Sequence, residues 1–534
     1  MKLGKWLLPK GKHKKPARTT TPSTVADGQQ GKKMAKILDD NLTELKRAFG
    51  KTVDFKFEHI HVGVQEGLLL YLETMISSQV LVEEVCKPLA LAAVRSKKIV
   101  DQAGLDALRK DLFVGCSSQL HRDLKKVVED IMDGYAVVIV QGIPFALTLK
   151  INKIEQRGIE EPSTQTIVRG PKDGFTEILG TNMSLIRRRI KNPKLQFESF
   201  TIGKETRTQL ALGYMDGVIN SSTLKEIRTR IQGIQTNAVF DSGNIEEFIQ
   251  DKTFTPFPMV FNTERPDTAA AQLLEGKAVI LLDGSPFVLV VPTVMIDFFQ
   301  SPEDYYQPYY MGSFIRMIRY LSFFIALLLP ALYLSIITYH HELLPTQLLI
   351  SLAAQREGVP FPAVVEVVLM ELTFEIIREA GIRMPRAVGQ AVSIVGALVI
   401  GQAAVEAGIV SNTLVIVVAL TGLSSFASPI YALAVAVRIL RFILILLAAV
   451  FGLYGMVLGL IIMVAHLASL RSFGVPYLAP VAPLIVEDLE DVFVRFPIWA
   501  MKWRPSYLNT EAPLRQPESK SPTPPPQDKG GDGS

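Results

Sequence analysis

From Leu343 to Gly408 the chain is mostly apolar, yet it is interrupted by prolines and by acids that a lipid-facing helix cannot carry. It passes through Leu343-Leu344-Pro345 and Gln355-Arg356-Glu357-Gly358-Val359-Pro360-Phe361-Pro362. An apolar segment bearing Glu366, Glu371, Glu375, Arg378 and Glu379 follows. After Pro385-Arg386 a cleaner apolar run, Ala387 to Val405, ends on Glu406-Ala407-Gly408. Each Leu, Ile, Phe or Val favours bilayer insertion by roughly 0.3–0.6 kcal/mol, whereas a central carboxylate disfavours it by about 2.5–3.5. Between Gly358 and Ile377 eleven such apolar residues stand against three glutamates, or roughly −3 to −7 kcal/mol against about +8 to +10. Alone in lipid the segment loses. Acids that persist at membrane depth face a bundle interior or a watery path, so the segment is expected to be embedded but protein-facing or pore-facing.

Glu371, Glu375 and Glu379 recur at i, i+4 and i+8, within about 80° of one another on a helix, with Glu366 on the opposite side. Arg378 lies in the same arc, three residues from Glu375, a spacing that pairs opposite charges. Two readings stay open: a neutralised structural network, or an acidic face that symmetry would repeat as a cation-favouring ring. Glu366, Glu371, Glu375, Arg378 and Glu379 are the candidate pore or gating residues.

The chain of 534 residues divides unevenly, with most of its charge before Arg319, which describes a soluble half joined to a membrane half. A net charge of +4 with no basic stripe among aromatics excludes a nucleic-acid reading. Cys86 and Cys116 are the only thiols, which fits a reducing compartment without a disulfide framework. The basic start, Lys2 to Arg18, precedes no apolar core and is not a signal peptide. It suits a solvated arm, and Trp6-Leu7-Leu8 among lysines would also suit an anionic inner leaflet. Residues 1–33 therefore read as a basic disordered arm.

In the soluble half, Gly67 to Leu72, Ala136 to Val140 and Phe145 to Ile151 have the pattern of strands. Met34 to Phe49, Gln79 to Leu91 and Gln119 to Met132 have that of amphipathic helices. The segments beginning Gly134-Tyr135-Ala136-Val137 and Gly276-Lys277-Ala278-Val279 resemble each other at a separation of 142 positions, and Tyr71 to Ile76 resembles Tyr214 to Ile219 at 143. Near-constant separation predicts a duplicated α/β unit, roughly residues 50–155 and 195–297, within cytoplasmic subdomains of residues 34–155 and 156–300. Between the copies, Gly170-Pro171-Lys172-Asp173-Gly174 and Arg187-Arg188-Arg189 lack the ending of a phosphate-binding loop and predict an inter-subdomain contact. No His, Cys, Asp or Glu set has metal-ligand spacing and no nucleophile arrangement appears, so neither enzyme nor cofactor is expected.

Tyr320 to Tyr339 is twenty uncharged residues, enough for a hydrocarbon core of about 30 Å. Further apolar runs are Ala387 to Val405, Ile409 to Ser428 and Phe442 to Leu467. Gly389, Ser393, Ala397 and Gly401 recur every four residues, a small-residue stripe suited to helix packing. With no export signal the soluble half is placed in the cytoplasm. Arg378, Arg383 and Arg386 favour one cytoplasmic loop and Arg438 with Arg441 another, which suggests five crossings and an external tail. A cytoplasmic tail requires an even count. The expected fold is an α/β cytoplasmic domain of two similar subdomains followed by an all-α transmembrane domain, residues 301–470, of about 4–6 spans including a re-entrant or broken segment. An amphipathic segment, 471–505, and a disordered Pro-rich tail, 506–534, complete the chain.

Gln355 to Pro362, Glu371 to Pro385, Gly401 to Ala407, Arg471-Ser472-Phe473-Gly474-Val475-Pro476-Tyr477, Asn262 to Asp267 and Phe298 to Tyr306 resemble the A subunits of GerA-type spore germination receptors. The resemblance covers about residues 40 to 505. It implies a subunit of a nutrient germinant receptor in the spore inner membrane, working with a transporter-like B subunit and a lipoprotein C subunit. It further implies that the A subunit forms a homo-oligomer and passes ions when nutrient binds. Rival readings of the residues are a non-conducting membrane scaffold and a secondary transporter, though the latter's inverted repeat is not found.

Overall fold

A computed structural model describes residues 32–94, 100–113, 117–151, 161–162, 164–383 and 401–517. The basic arm, most of the Pro-rich tail, Cys116 and the stripe members Gly389, Ser393 and Ala397 lie outside these. The soluble half holds two five-stranded antiparallel sheets. The first contains β1 (Phe55–Val62), β2 (Gln65–Leu72), β3 (Ser118–His121), β4 (Tyr135–Val140) and β5 (Ala146–Lys150), in the order β1-β2-β4-β5-β3. The second contains β6 (Leu195–Ile202), β7 (Thr208–Met215), β8 (Phe261–Thr263), β9 (Ala278–Leu282) and β10 (Val288–Val291), in the order β6-β7-β9-β10-β8.

The two orders are the same, and so is the register. Gly67 pairs with Val140 in the first sheet and Leu210 with Leu282 in the second, which reproduces the separations of 143 and 142 seen in the sequence. The match extends to side chains, since the Tyr71 hydroxyl donates to Glu58 at 2.7 Å and the Tyr214 hydroxyl to Glu198 at 2.7 Å. Both repeats also need glycine at the turn after β4 or β9, where Gly142 and Gly284 have φ of 90° and 88°, backbone that other residues rarely adopt. Two expectations change. Helix starts at Leu38 rather than Met34, because the Met34 amide is bound in extended backbone to the Arg122 carbonyl at 2.8 Å. Gln119 belongs to an edge strand, and the helix begins at Leu124 after Asp123, whose carboxylate accepts from the Lys125 amide.

The segment between the copies makes the predicted inter-subdomain contact. Arg187, on the helix Leu179–Arg189, is fully buried and donates to both oxygens of Asp54 at 2.8 Å and to Thr52 at 2.9 Å. Arg189 is bound to Asp173 and Lys172 to Glu161, so Lys172, Arg187 and Arg189, three of the cations that invited a phosphate reading, are engaged within the chain.

Beyond Phe298 the chain becomes helical. The lead helix Tyr309–Thr338 runs away from the soluble half, and the acidic helix Ala363–Arg383 and the serine helix Asn412–Phe426 follow. The last helical stretch, Tyr431–Ser469, is not one rod. Gly452 has φ 59° and ψ −141°, and the chain doubles back there into a hairpin of residues 431–451 and 453–469. A Cβ on Gly459 would lie 2.7 Å from Leu444 across the hairpin. Ala436 and Leu467 lie in one buried cluster with Phe257 and Phe298 of the soluble half. The hairpin tip docks on the far end of the lead helix, where the Tyr339 hydroxyl donates to the Ala449 carbonyl at 2.8 Å. The expected single run Phe442 to Leu467 is therefore corrected to parts of two antiparallel helices.

After Leu470 the chain returns to the second subdomain. The Tyr477 hydroxyl donates to the Pro258 carbonyl at 2.8 Å, the Phe473 amide donates to Asp251 at 2.6 Å, and Arg515 lies 2.9 Å from Glu275. The helical region thus starts and ends at the same face of the soluble half.

Two outcomes follow from these contacts. Burial raises the Asp54 carboxyl, but the charge and hydrogen bonds of Arg187 outweigh it, and the pKa falls below the ordinary 3.8. The pair's stabilisation is therefore complete above pH 3.8 and is lost as pH falls through the lower folded value. Arg187→Ala leaves the carboxylate buried and unpaired, and denaturant unfolding at neutral pH should show a loss of about 3–5 kcal/mol that narrows below pH 4. At Gly452 an alanine Cβ would lie 2.9 Å from the Tyr339 ring in a backbone region that glycine alone favours. Gly452→Ala should lower thermal stability by about 1–3 kcal/mol, read from the melting of the purified chain.

Candidate functional site

The acidic helix lies parallel to the serine helix, with Glu366 by Ser411 at one end and Arg378 by Ser425 at the other. It is antiparallel to residues 431–451, where Arg441 faces Glu371 and Arg438 faces Glu375. The close approach to the serine helix depends on Gly422, where a Cβ would run into the Phe374 ring.

The inner face of the acidic helix carries the site. Arg441 and Glu371 are both fully buried, with Arg441 Nη2 3.1 Å from Glu371 and 2.8 Å from Glu375. Arg438 Nη1 lies 3.0 Å from the other Glu375 oxygen and Arg378 Nη1 3.5 Å from Glu375. Arg378 also donates to Ser425 and stacks over Phe374 and Phe426, with its guanidinium 4.8 and 4.9 Å from their ring centres. Three arginines thus surround two carboxylates, a net charge of +1 when all are ionised. Both oxygens of Glu371 and the Nε and Nη1 of Arg441 make no hydrogen bond, so the network is ion-paired but incompletely satisfied.

Of the candidate gating residues, Glu371, Glu375 and Arg378 meet here. Glu366 is buried elsewhere, held by Arg356 at 3.1 Å and by the Ser411 amide at 3.3 Å. Glu379 pairs with Arg383 at 2.7 Å on an exposed face. Gln355 reaches Thr413 of the serine helix at 2.7 Å, so the Gln355-Arg356 pair fastens the distal end of the bundle. Gly401 is buried, its Cβ direction 3.6 Å from Val415.

Charge counting places Arg378, Arg438 and Arg441 in loops, and the structure corrects this: Arg378 lies inside the acidic helix, and Arg438 and Arg441 lie inside residues 431–451, turned toward the glutamates. Their spacing of three, against four between Glu371 and Glu375, was the available signal, since each puts its pair on one helix face. Sequence reading also missed the junction where the soluble half meets the lead helix. There Arg316, fully buried, lies 3.0 Å from Asp304 and 2.8 Å from Asp491, and Arg319 lies 2.8 Å from Asp304.

The sequence profile described as "Bacillus/Clostridium GerA spore germination protein" matches residues 43–507. Spore germination protein KA of Bacillus subtilis (strain 168) is 45% identical over 491 residues, 91% of this chain and 89% of that protein. An uncharacterized membrane protein of the same organism, YfkQ, is 43% identical over 90% of this chain and 93% of its own. Spore germination protein GerLA of Bacillus cereus is 44% identical over 74% and 80%. Among solved structures, the N-terminal domain of the A subunit of the Bacillus megaterium spore germinant receptor GerK3 aligns with 31% identity and a TM-score of 0.40, covering 50% of this chain and 98% of that one. The chain belongs to the GerA family of spore germination proteins.

Proposed function

We propose that this chain is the A subunit of a nutrient germinant receptor, embedded in the spore inner membrane, and that its acidic helix gates a cation path. The observation that carries the gating reading is the incompletely satisfied network of Glu371, Glu375, Arg378, Arg438 and Arg441. Arg441 stands about 15 Å into its helix, near the middle of a span, where ionisable groups are expensive and serve function. Removing one member of a buried ion pair costs about 3–5 kcal/mol, so the five charges hold the acidic helix to the hairpin as a latch. In the closed arrangement the arginines screen both carboxylates from a passing ion. A transporter-like B subunit that moves the hairpin on binding nutrient frees the carboxylates, and copies arranged around an axis then present them as a ring that favours cations. A lipoprotein C subunit completes the receptor.

The crossings we infer take the lead helix, the acidic helix, the serine helix and the two hairpin halves as five. The lead helix and the stretch Tyr431–Ser469 contain windows apolar enough to cross a membrane. The apolar run Ala387 to Val405 in the sequence supplies a sixth, since parallel neighbours such as the acidic and serine helices need a return between them. Six crossings bring the C-terminal segment back to the cytoplasmic face, with the soluble half. With Cys86 and Cys116 replaced by serine, cysteines at the exposed Asp39 and Glu511 should react with a membrane-impermeant maleimide from the same side of oriented vesicles. Labelling from opposite sides overturns the even count.

The latch is tested in spores. Glu371→Gln and Glu375→Gln keep size but remove charge, and at normal receptor levels they should alter early release of monovalent cations by several-fold. Unchanged release at normal levels refutes gating by this helix and favours either the run Ala387 to Val405 or a scaffold that conducts nothing.

A further inference from the structure

A cavity of about 570 Å³ lies where the second subdomain, the start of the lead helix, the turn Phe426 to Ile430 and the C-terminal segment converge. The latch makes no use of it. Its volume is that of a small-molecule site. One wall is a single helix face, on which Thr268, Ala271, Gln272 and Glu275 follow at i, i+3, i+4 and i+7 along and just past the helix Pro266–Leu274. On that wall Thr268 Oγ1 and Glu275 Oε2 are both buried and make no hydrogen bond. Buried polar atoms without partners are rare and point to an absent partner.

The charge of the lining identifies that partner. Four cations line the cavity and each is already paired: Arg265 with Asp267 at 2.8 Å, Lys277 with Asp297 at 2.6 Å, Arg319 with Asp304 at 2.8 Å and Arg515 with Glu275 at 2.9 Å. Glu303, Glu487, Asp488 and Glu490 also line it, and no ion pair engages them among the described residues. Burial, then the charges of Asp488 and Glu487, push the Glu490 carboxyl upward, while Asp488 accepts from the Ser506 and Tyr507 amides and Glu303 from Gln307. Tyr305 and Tyr306 also line it, their hydroxyls donating to Asp491 and Asp267, and the Arg316 and Arg495 guanidiniums already lie over the Tyr305 ring.

A metal ion is a poor fit. No group of three or more His, Cys, Asp or Glu side chains among the described residues could hold one, and the volume far exceeds a bare ion. A zwitterion fits no better, since its carboxylate would find no unpaired cation. We propose that the cavity binds a small organic ammonium cation, a primary amine whose N–H groups donate to Glu275 Oε2 and Thr268 Oγ1 while its apolar body lies against the Tyr306 ring. The turn Phe426 to Ile430 and Arg319 form part of the wall, so an occupant touches the soluble half and the helices together. This goes beyond the gating reading and does not depend on it.

The test is calorimetric titration of the purified full-length chain in detergent micelles with n-butylammonium chloride, and with sodium butyrate at equal ionic strength. Saturable one-to-one binding of butylammonium without binding of butyrate is expected. Glu275→Gln should weaken it at least tenfold, and Thr268→Val, which keeps shape but removes the acceptor, several-fold. Absence of saturable binding to the native chain overturns the proposal, as does equal affinity in Glu275→Gln or equal binding of butyrate. Should Glu275→Gln fail to fold, Thr268→Val decides: undiminished affinity overturns the proposal and a several-fold loss supports it.

Discussion

Arg316 has no exposed side-chain surface, and its guanidinium is shared between Asp304, twelve residues earlier, and Asp491, which arrives from the far end of the chain. An unpaired buried guanidinium is prohibitively costly, so this residue requires both acids to be present. Asp304 is also held by Arg319 one turn along the lead helix, and Asp491 accepts from the Tyr305 hydroxyl at 2.6 Å. The clamp therefore fixes where the lead helix leaves the soluble half and where the C-terminal segment must end. The helices between those points have to close a circuit that begins and finishes at one face of the second subdomain.

The two buried charge networks do different work because they sit at different depths. The clamp is at the root of the helices and draws on backbone as well as side chains, as in the bonds from Arg316 and Arg319 to the carbonyls of Asp491 and Phe299. The network around Glu375 lies within the bundle and is made by side chains from separate helices, several of whose polar atoms make no hydrogen bond. Both networks leave buried polar atoms without a hydrogen bond, Asp304 Oδ1 and Arg316 Nη2 in the clamp and atoms of Glu371, Arg378, Arg438 and Arg441 in the bundle. What separates them is the backbone, which holds the arginines of the clamp in addition to their carboxylates.

Much of the soluble half was legible because its signals are local. Alternating apolar runs gave strands, and the duplicated Gly134 and Gly276 turns gave the repeat, down to the one-residue change in separation that reappears as sheet register. The helical half was less legible, for a physical reason. Charge counting assigns arginine to loops because a solitary guanidinium avoids lipid, but Arg438 and Arg441 are not solitary, and only the folded bundle shows the glutamates that neutralise them. Hydropathy also cannot see Gly452, because glycine at positive φ leaves an apolar run unbroken while reversing its direction. Glu366, Glu371 and Glu375 do turn toward other helices while Glu379 is exposed, and the pairing of Arg378 with Glu375 follows from helical spacing alone.

The repeat is equal in topology but not in what it touches. In the first copy the face bearing Leu68, Val137 and Ile139 is covered by Leu42, Leu45 and Phe49 of the helix Leu38–Phe49, and the cluster closes within the subdomain. The corresponding face of the second copy, with Ala211, Val279 and Leu281, shares one cluster with Ile430, Leu433 and Ala436 at the hairpin's start and Leu467 and Leu470 at its end. Among these clusters only the second sheet packs with the helices, and Arg187 binds the first copy to it through Asp54. Packed cores transmit displacement because they leave little void to absorb it. The second sheet meets the hairpin at both of its ends, so within these clusters the packing that joins the first subdomain to the helices runs through the second sheet.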